Sequence, residues 1–172
     1  MTNDAFWSLI AQSRSASDGD KDAQVEALQS ALSQIPPADI LDFQRIFDAC
    51  VDQAYRWDLW GAAYIIRGGC SDDAFIDFRS WLISMGRSIF EGAMADPDSL
   101  ADVENGPDAE EDAFFEEFAY VASQVYEEVA SGEMPHGQRN PPSEPAGDPW
   151  KEEGDDLQIR FPRLWAKYGE AY

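Results

Sequence analysis

The sequence predicts an all-α protein, a compact single-domain bundle of about five to seven helices with an irregular C-terminal arm. Three observations carry that prediction. Apolar residues recur at three-to-four spacing in successive segments. Stop signals fall between those segments, at Pro36-Pro37, Gly68-Gly69 and Asp96-Pro97-Asp98. Strand character is confined to Gln158–Phe161, and no fixed-period repeat suggests a solenoid. At 172 residues the chain can bury one ordinary core. Its organisation reads as a helical domain over 1–132, a proline-rich irregular arm over 133–156 and a segment over 157–172 that docks back.

The first helix is expected over Asp4–Ser13, capped by Asn3 and facing inward through Phe6, Trp7, Leu9 and Ile10. Ser17-Asp18-Gly19-Asp20 reads as a turn. A second helix follows on Val25, Leu28, Leu32 and Ile35, ended by Pro36, while Pro37 suits a new helix start. The third places Ile40, Phe43, Phe47, Cys50 and Ala54 on one stripe. Asp58 to Ile66 makes a short, apolar helix that Gly68-Gly69 terminates. Ser71 caps the next, with Asp72 and Asp73 in its first turn, where the helix dipole favours negative charge. That helix is expected to continue through Phe75, Phe78, Leu82, Met85 and Ile89 as far as Asp96. A polar connection over Asp96–Asp108, with at most one turn of helix, leads to a helix over Ala109–Ser131 stopped by Gly132. Phe161, Leu164 and Trp165 are expected to tie the tail down.

Composition excludes several classes. The chain is 44% hydrophobic and 13% aromatic, too apolar for a disordered protein. It carries no run of membrane-spanning length and opens without a secretory signal, so a soluble cytoplasmic protein is the expectation. Cys50 and Cys70 fit a reducing compartment in which neither is bridged. Thirty-four acidic against 12 basic residues give a net charge of −22. From Ser88 to Gln138 there is no Lys or Arg, yet 14 Asp or Glu occur. Such a surface repels nucleic acid and anionic membranes. It is either a solvated face or a face for a basic protein partner, in the extreme a mimic of DNA. Glu110, Glu111, Asp112, Glu116 and Glu117 are expected outside, with Phe114, Phe115, Phe118 and Val121 inside.

No metal or cofactor is expected. Bundle-type di-iron chemistry needs Glu-x-x-His pairs, and the single histidine, His136, stands in the arm without one. Cys-x-x-Cys is absent. Cys70 lies just before a helix N-terminus, which lowers a thiol's pKa, but His136 would have to fold back from the proline-rich arm to serve as its base. Gly68-Gly69-Cys70-Ser71 offers amides to an anion, yet Asp72 and Asp73 already occupy that dipole.

The densest chemistry lies in Arg56–Arg87, which holds three of the six tryptophans and four arginines. Asp58, Asp72 and Asp73 are placed to pair with Arg79 and Arg87 across a helical corner. The cluster of Trp57, Asp58, Trp60, Cys70, Asp72, Asp73, Arg79, Trp81 and Arg87 is therefore the candidate site. It reads either as a packed salt-bridge network or as a pocket walled by Trp57, Trp60, Tyr64 and Trp81.

Trp57-Asp-Leu-Trp60, Gly68-Gly-Cys-Ser-Asp-Asp73, Phe78-Arg79 and Trp81-Leu-Ile resemble the DUF4240 family of bacterial proteins. The likeness runs from Phe6-Trp7 to Phe161-Pro-Arg-Leu-Trp165. It implies a soluble helical protein and carries no catalytic residue, cofactor or partner onto the chain. Two functional readings remain open. One is a non-enzymatic acidic interaction or regulatory protein, immunity-like in character. The other is a small-molecule-binding protein or enzyme with its pocket at the Trp57–Trp81 hairpin.

Overall fold

Helices dominate the computed structural model, which describes residues 1–104, 112–135, 137, 139–152 and 155–169. In order they are α1 (Asn3–Ser17), α2 (Lys21–Leu32), α3 (Pro37–Gln53), α4 (Trp57–Arg67), α5 (Asp72–Ser84) and α6 (Arg87–Ala95). Two 3₁₀ turns follow, Pro97–Asp102 and Glu117–Tyr120, then α7 (Val121–Ala130), α8 (Asp156–Arg160) and α9 (Pro162–Tyr168). The all-α class stands, with somewhat more helices than expected. Among the described residues there is no strand, and the β pairing is one isolated parallel bridge between Arg56 and Ala146.

Local sequence accounts for most boundaries. Thr2, not Asn3, caps α1 by accepting the Ala5 amide at 3.2 Å. Asp18 closes that helix at φ 51°, and the Asp20 carboxylate caps α2 by accepting the Ala23 amide at 2.8 Å. Pro36 and Pro37 separate α2 from α3. Ser71 caps α5 through the Ala74 amide. The α3 stripe of Ile40, Phe43, Phe47, Cys50 and Ala54 is buried in full.

Four expectations are corrected. The helix expected to run from Ser71 to Asp96 breaks at Gly86, whose φ of 94° suits glycine, so α5 and α6 are separate elements. The Asp96–Asp108 connection holds two turns of 3₁₀ helix over Pro97–Asp102, with Asp98 and Leu100 buried. The helix expected over Ala109–Ser131 is interrupted. Residues 105–111, Glu110 and Glu111 among them, lie outside the described residues, and 113–116 are not helical. There the Phe115 amide bonds the Asp77 carbonyl at 3.3 Å and Lys21 Nζ bonds the Phe114 carbonyl at 2.8 Å, so tertiary partners replace helical ones. Gln158–Arg160 is helical and Phe161 caps that helix, so no strand forms there.

The tail is held by named contacts. Asp98, 7% exposed, accepts the amides of Arg163 at 3.1 Å and Leu164 at 2.9 Å, capping α9 from across the fold. Hydrogen bonds to a charged acceptor contribute about 1.5–3 kcal/mol each. Arg163 also pairs with Asp102, and Lys167 reaches the carbonyls of Ala101 and Val103. Phe161 and Leu164 are buried and Trp165 is half-buried.

Candidate functional site

The α4–α5 corner is built from spacing. Trp57 and Trp60, three apart on α4, lie on one side, and their rings stack with centroids 5.2 Å apart and planes 9° off parallel. Phe75 of α5 stacks on Trp60 at 5.1 Å, also 9° off parallel. Phe78 and Trp81 continue the row at 6.2 Å and 5.2 Å. Trp60 fixes the turn between the helices by donating its indole N–H to the Cys70 carbonyl at 2.9 Å. Trp81 is 3% exposed and belongs to the core, whereas Trp57 and Trp60 are half-buried.

The arm closes the corner. Ala146 pairs with the backbone of Tyr55 and Trp57 at 2.9 Å in each bond. Trp150 lies edge-on to Trp57 at 6.4 Å and packs on Tyr64 at 4.7 Å. Its indole nitrogen is buried without a partner among the described residues, so ring packing positions it. Tyr64 bonds Glu152, whose carboxylate, with burial added, holds the phenol up at about 12. Gly61 gives the room for this cover. A Cβ there would stand 2.8 Å from Phe161 Cε2, 3.1 Å from Trp150 Cδ1 and 3.2 Å from Leu157 Cδ2.

Arg79 is buried, but the carboxylate pairing expected for it does not form. Its Nη1 donates to the Val51 carbonyl at 2.9 Å and its Nε to the Phe75 carbonyl at 3.3 Å. The guanidinium lies over the rings of Tyr55 and Phe75 at 4.8 and 5.0 Å. Burial lowers its pKa from the ordinary arginine value. Among the described residues no carboxylate forms an ion pair with it. Arg56 takes Asp58, and also bonds the Met94 carbonyl at 2.9 Å. Asp72 and Asp73 stay exposed in the first turn of α5, roughly 10 Å along the axis from Arg79 at ~1.5 Å per residue. Arg87 lies elsewhere, paired with Asp4 at 2.8 Å and Glu91 at 2.7 Å. The structure thus brings Trp57, Asp58, Trp60, Cys70 and Arg79 together, leaves Asp72 and Asp73 at the rim, and separates Arg87. Burial raises the Cys70 thiol to about 11, despite the opposing charge of Arg67, so it stays protonated near neutral pH. His136 lies outside the described residues.

An open site exists that sequence reasoning missed. A groove of about 520 Å³ runs between α3 and α6 over Trp7 of α1. Arg45, Ile46, Ala49, Cys50 and Gln53 form one wall, and Arg87, Phe90, Glu91, Met94 and Ala95 the other. The signal was present as a second stripe on α3 beside Phe43 and Phe47, but its partner stripe lies beyond the break at Gly86.

The fold and these two places describe an acidic helical protein with one filled aromatic corner and one open groove. Residues 1–128 match the family model described as a protein of unknown function, DUF4240, and the chain belongs to that family. No curated protein and no solved structure matches it. Trp150, Leu157 and Phe161, which cover the corner, lie beyond the matched residues. No helix among the described residues is long and apolar enough to cross a membrane.

Proposed function

We propose that this chain is a non-enzymatic interaction protein of the cytoplasm that receives a basic, partly apolar partner on the face shared by α5 and the Glu117–Tyr120 turn. The observation that carries this reading is a pair of exposed apolar side chains among uncompensated carboxylates. Ile76 is 45% exposed and Tyr120 52% exposed. Asp72, Asp73, Glu116 and Glu117 are exposed on the same two elements, which pack together. Asp77 beside Ile76 feels the crowding: burial first, then the charges of Glu116, Asp73 and Glu117, raise its carboxyl to about 6 against the pull of Arg67. A cationic partner relieves that repulsion, while Ile76 and Tyr120 supply apolar area. The free thiols of Cys50 and Cys70 accord with a reducing compartment.

Titrating the protein with a short amphipathic lysine–leucine peptide, and with its lysine–serine counterpart, tests the reading. Saturable one-to-one binding is expected for the leucine peptide. It should weaken about thirtyfold when Ile76→Ser and Tyr120→Ser are combined, each side chain contributing roughly 1 kcal/mol. Equal binding of both peptides, untouched by the double substitution, would reduce the face to a general charge effect and end the proposal.

A further inference from the structure

We propose that the groove between α3 and α6 binds a small amphipathic carboxylate, apolar end inward and carboxylate on Arg45 and Arg87. This site is separate from the acidic face. Its volume, about 520 Å³, lies within the ~300–1,000 Å³ usual for small-molecule sites. The lining stripes, Arg45 to Gln53 and Arg87 to Ala95, each span eight residues of rise, so the groove is about 12 Å long at ~1.5 Å per residue.

The two ends differ in chemistry. Trp7, Cys50 and Phe90 form a buried apolar floor, with Trp7 and Phe90 ring centroids 5.3 Å apart. Burial keeps the Cys50 thiol protonated, raised to about 11, so it serves as apolar surface. Both arginines stand beside the first turn of α1. Arg87 bonds Asp4 there, and Arg45 bonds Asp42, which in turn holds the amino group of Met1. Asn3, in that same turn, lines the groove, and an anion that displaces Asp4 from Arg87 also takes its place beside the positive end of the α1 dipole.

The existing ion pairs do not close the site. Arg45 is 73% exposed and Arg87 49% exposed, and Asp4, which holds Arg87, is 87% exposed. Such exposed pairs hold weakly, and an incoming carboxylate can replace Asp4 while Glu91 keeps Nε of Arg87. Bidentate guanidinium–carboxylate geometry favours that exchange over binding of an alcohol. An amine would meet two guanidinia, each already holding its own carboxylate, Asp42 on Arg45 and Asp4 with Glu91 on Arg87. In a chain with 12 cations among 34 acids, two arginines over one apolar floor select for an anion.

The test titrates octanoate, octanol and octylamine separately into the full chain and follows the Trp7 indole N–H resonance. Octanoate is expected to shift it saturably, with octanol and octylamine binding at least about tenfold more weakly. Arg45→Gln with Arg87→Gln should cost octanoate about tenfold and leave octanol unchanged, with both substituted sites exposed. Ala49→Trp, which fills the groove, should abolish the shift while the other indoles keep their dispersion. Octanol or octylamine binding as well as octanoate, an unmoved Trp7, or octanoate binding undiminished by the double Gln variant would overturn the proposal.

Discussion

Tryptophan and arginine meet twice in this fold, at the α4–α5 corner and at the groove between α3 and α6, with opposite results. At the corner, Trp57, Trp60 and Phe75 stack on one another, Arg79 is covered by carbonyls and rings, and Trp150 of the arm lies over the outside. At the groove, Trp7 floors an open channel whose arginines reach solvent. Local density in sequence is what differs. Aromatic residues concentrated at helical spacing find one another and fill their own space. A cavity forms where stripes of α3 and α6 face each other over Trp7 and no side chain is large enough to close the gap. Concentration of aromatic residues therefore marks packing here, and the open site is the one assembled from dispersed residues.

The largest effect expected from this comparison is at Arg79. Arg79→Ala should destabilise the fold by about 3 kcal/mol in urea denaturation. It orphans the Val51 carbonyl, removes two ring contacts and leaves a cavity. Arg79→Lys should recover little of this, since an ammonium cannot reproduce the planar stacking. A stable Arg79→Ala variant would mean that the corner is held by its aromatic rings alone.

That distinction also explains what the sequence made legible. The α3 stripe, the Ser71 cap and the Asp18–Asp20 turn followed from local spacing and capping chemistry, which no tertiary contact overrides. Gly86 did not stand out, because Met85 and Ile89 continue the apolar spacing across it and only its φ of 94° separates α5 from α6. The break matters to function, since it turns Arg87 away from the corner and into the groove. Neither the burial of Arg79 nor its partner was legible, because the Val51 carbonyl reaches it only through the packing of α3 on α5. Trp150 was hidden for the same reason: it arrives at Trp57 from an arm without periodicity.

A matched pair of substitutions measures the contrast directly. Gly61→Ala adds one methyl where Phe161, Trp150 and Leu157 already crowd, so about 1–3 kcal/mol should be lost as the tail shifts. Ala49→Leu adds more bulk, but on an exposed groove wall, and should stay within about 0.5 kcal/mol. Thermal melts of the two variants suffice. Equal costs would mean either that the corner yields easily or that the groove is already filled, and the contrast would be lost.

The last effect, small and of opposite sign, sits on the outer side of α5, two residues from the buried Arg79. Asp77→Asn should stabilise the protein at neutral pH. The Asp77 carboxyl is raised to about 6, first by burial and then by Glu116, Asp73 and Glu117, with Arg67 opposing. A carboxyl raised in this way binds its proton more tightly in the folded chain than in the unfolded one. Its contribution is complete below the ordinary value near ~4 and is lost as pH rises through about 6. At full strength that displacement converts to roughly 3 kcal/mol, and partial solvent access screens it to about 1 kcal/mol. Asp42, Asp102 and Asp156 run the other way, held below the ordinary range by the Met1 amino group, Arg163 and the Lys151 amide. Their contributions fall away only under ~4, outside the Asp77 window. Melting temperature should therefore rise as pH falls from about 7 to about 5, and that rise should vanish in Asp77→Asn. A rise that persists in the variant would place the repulsion elsewhere on the acidic surface. It would also remove the electrostatic ground for a cationic partner on α5.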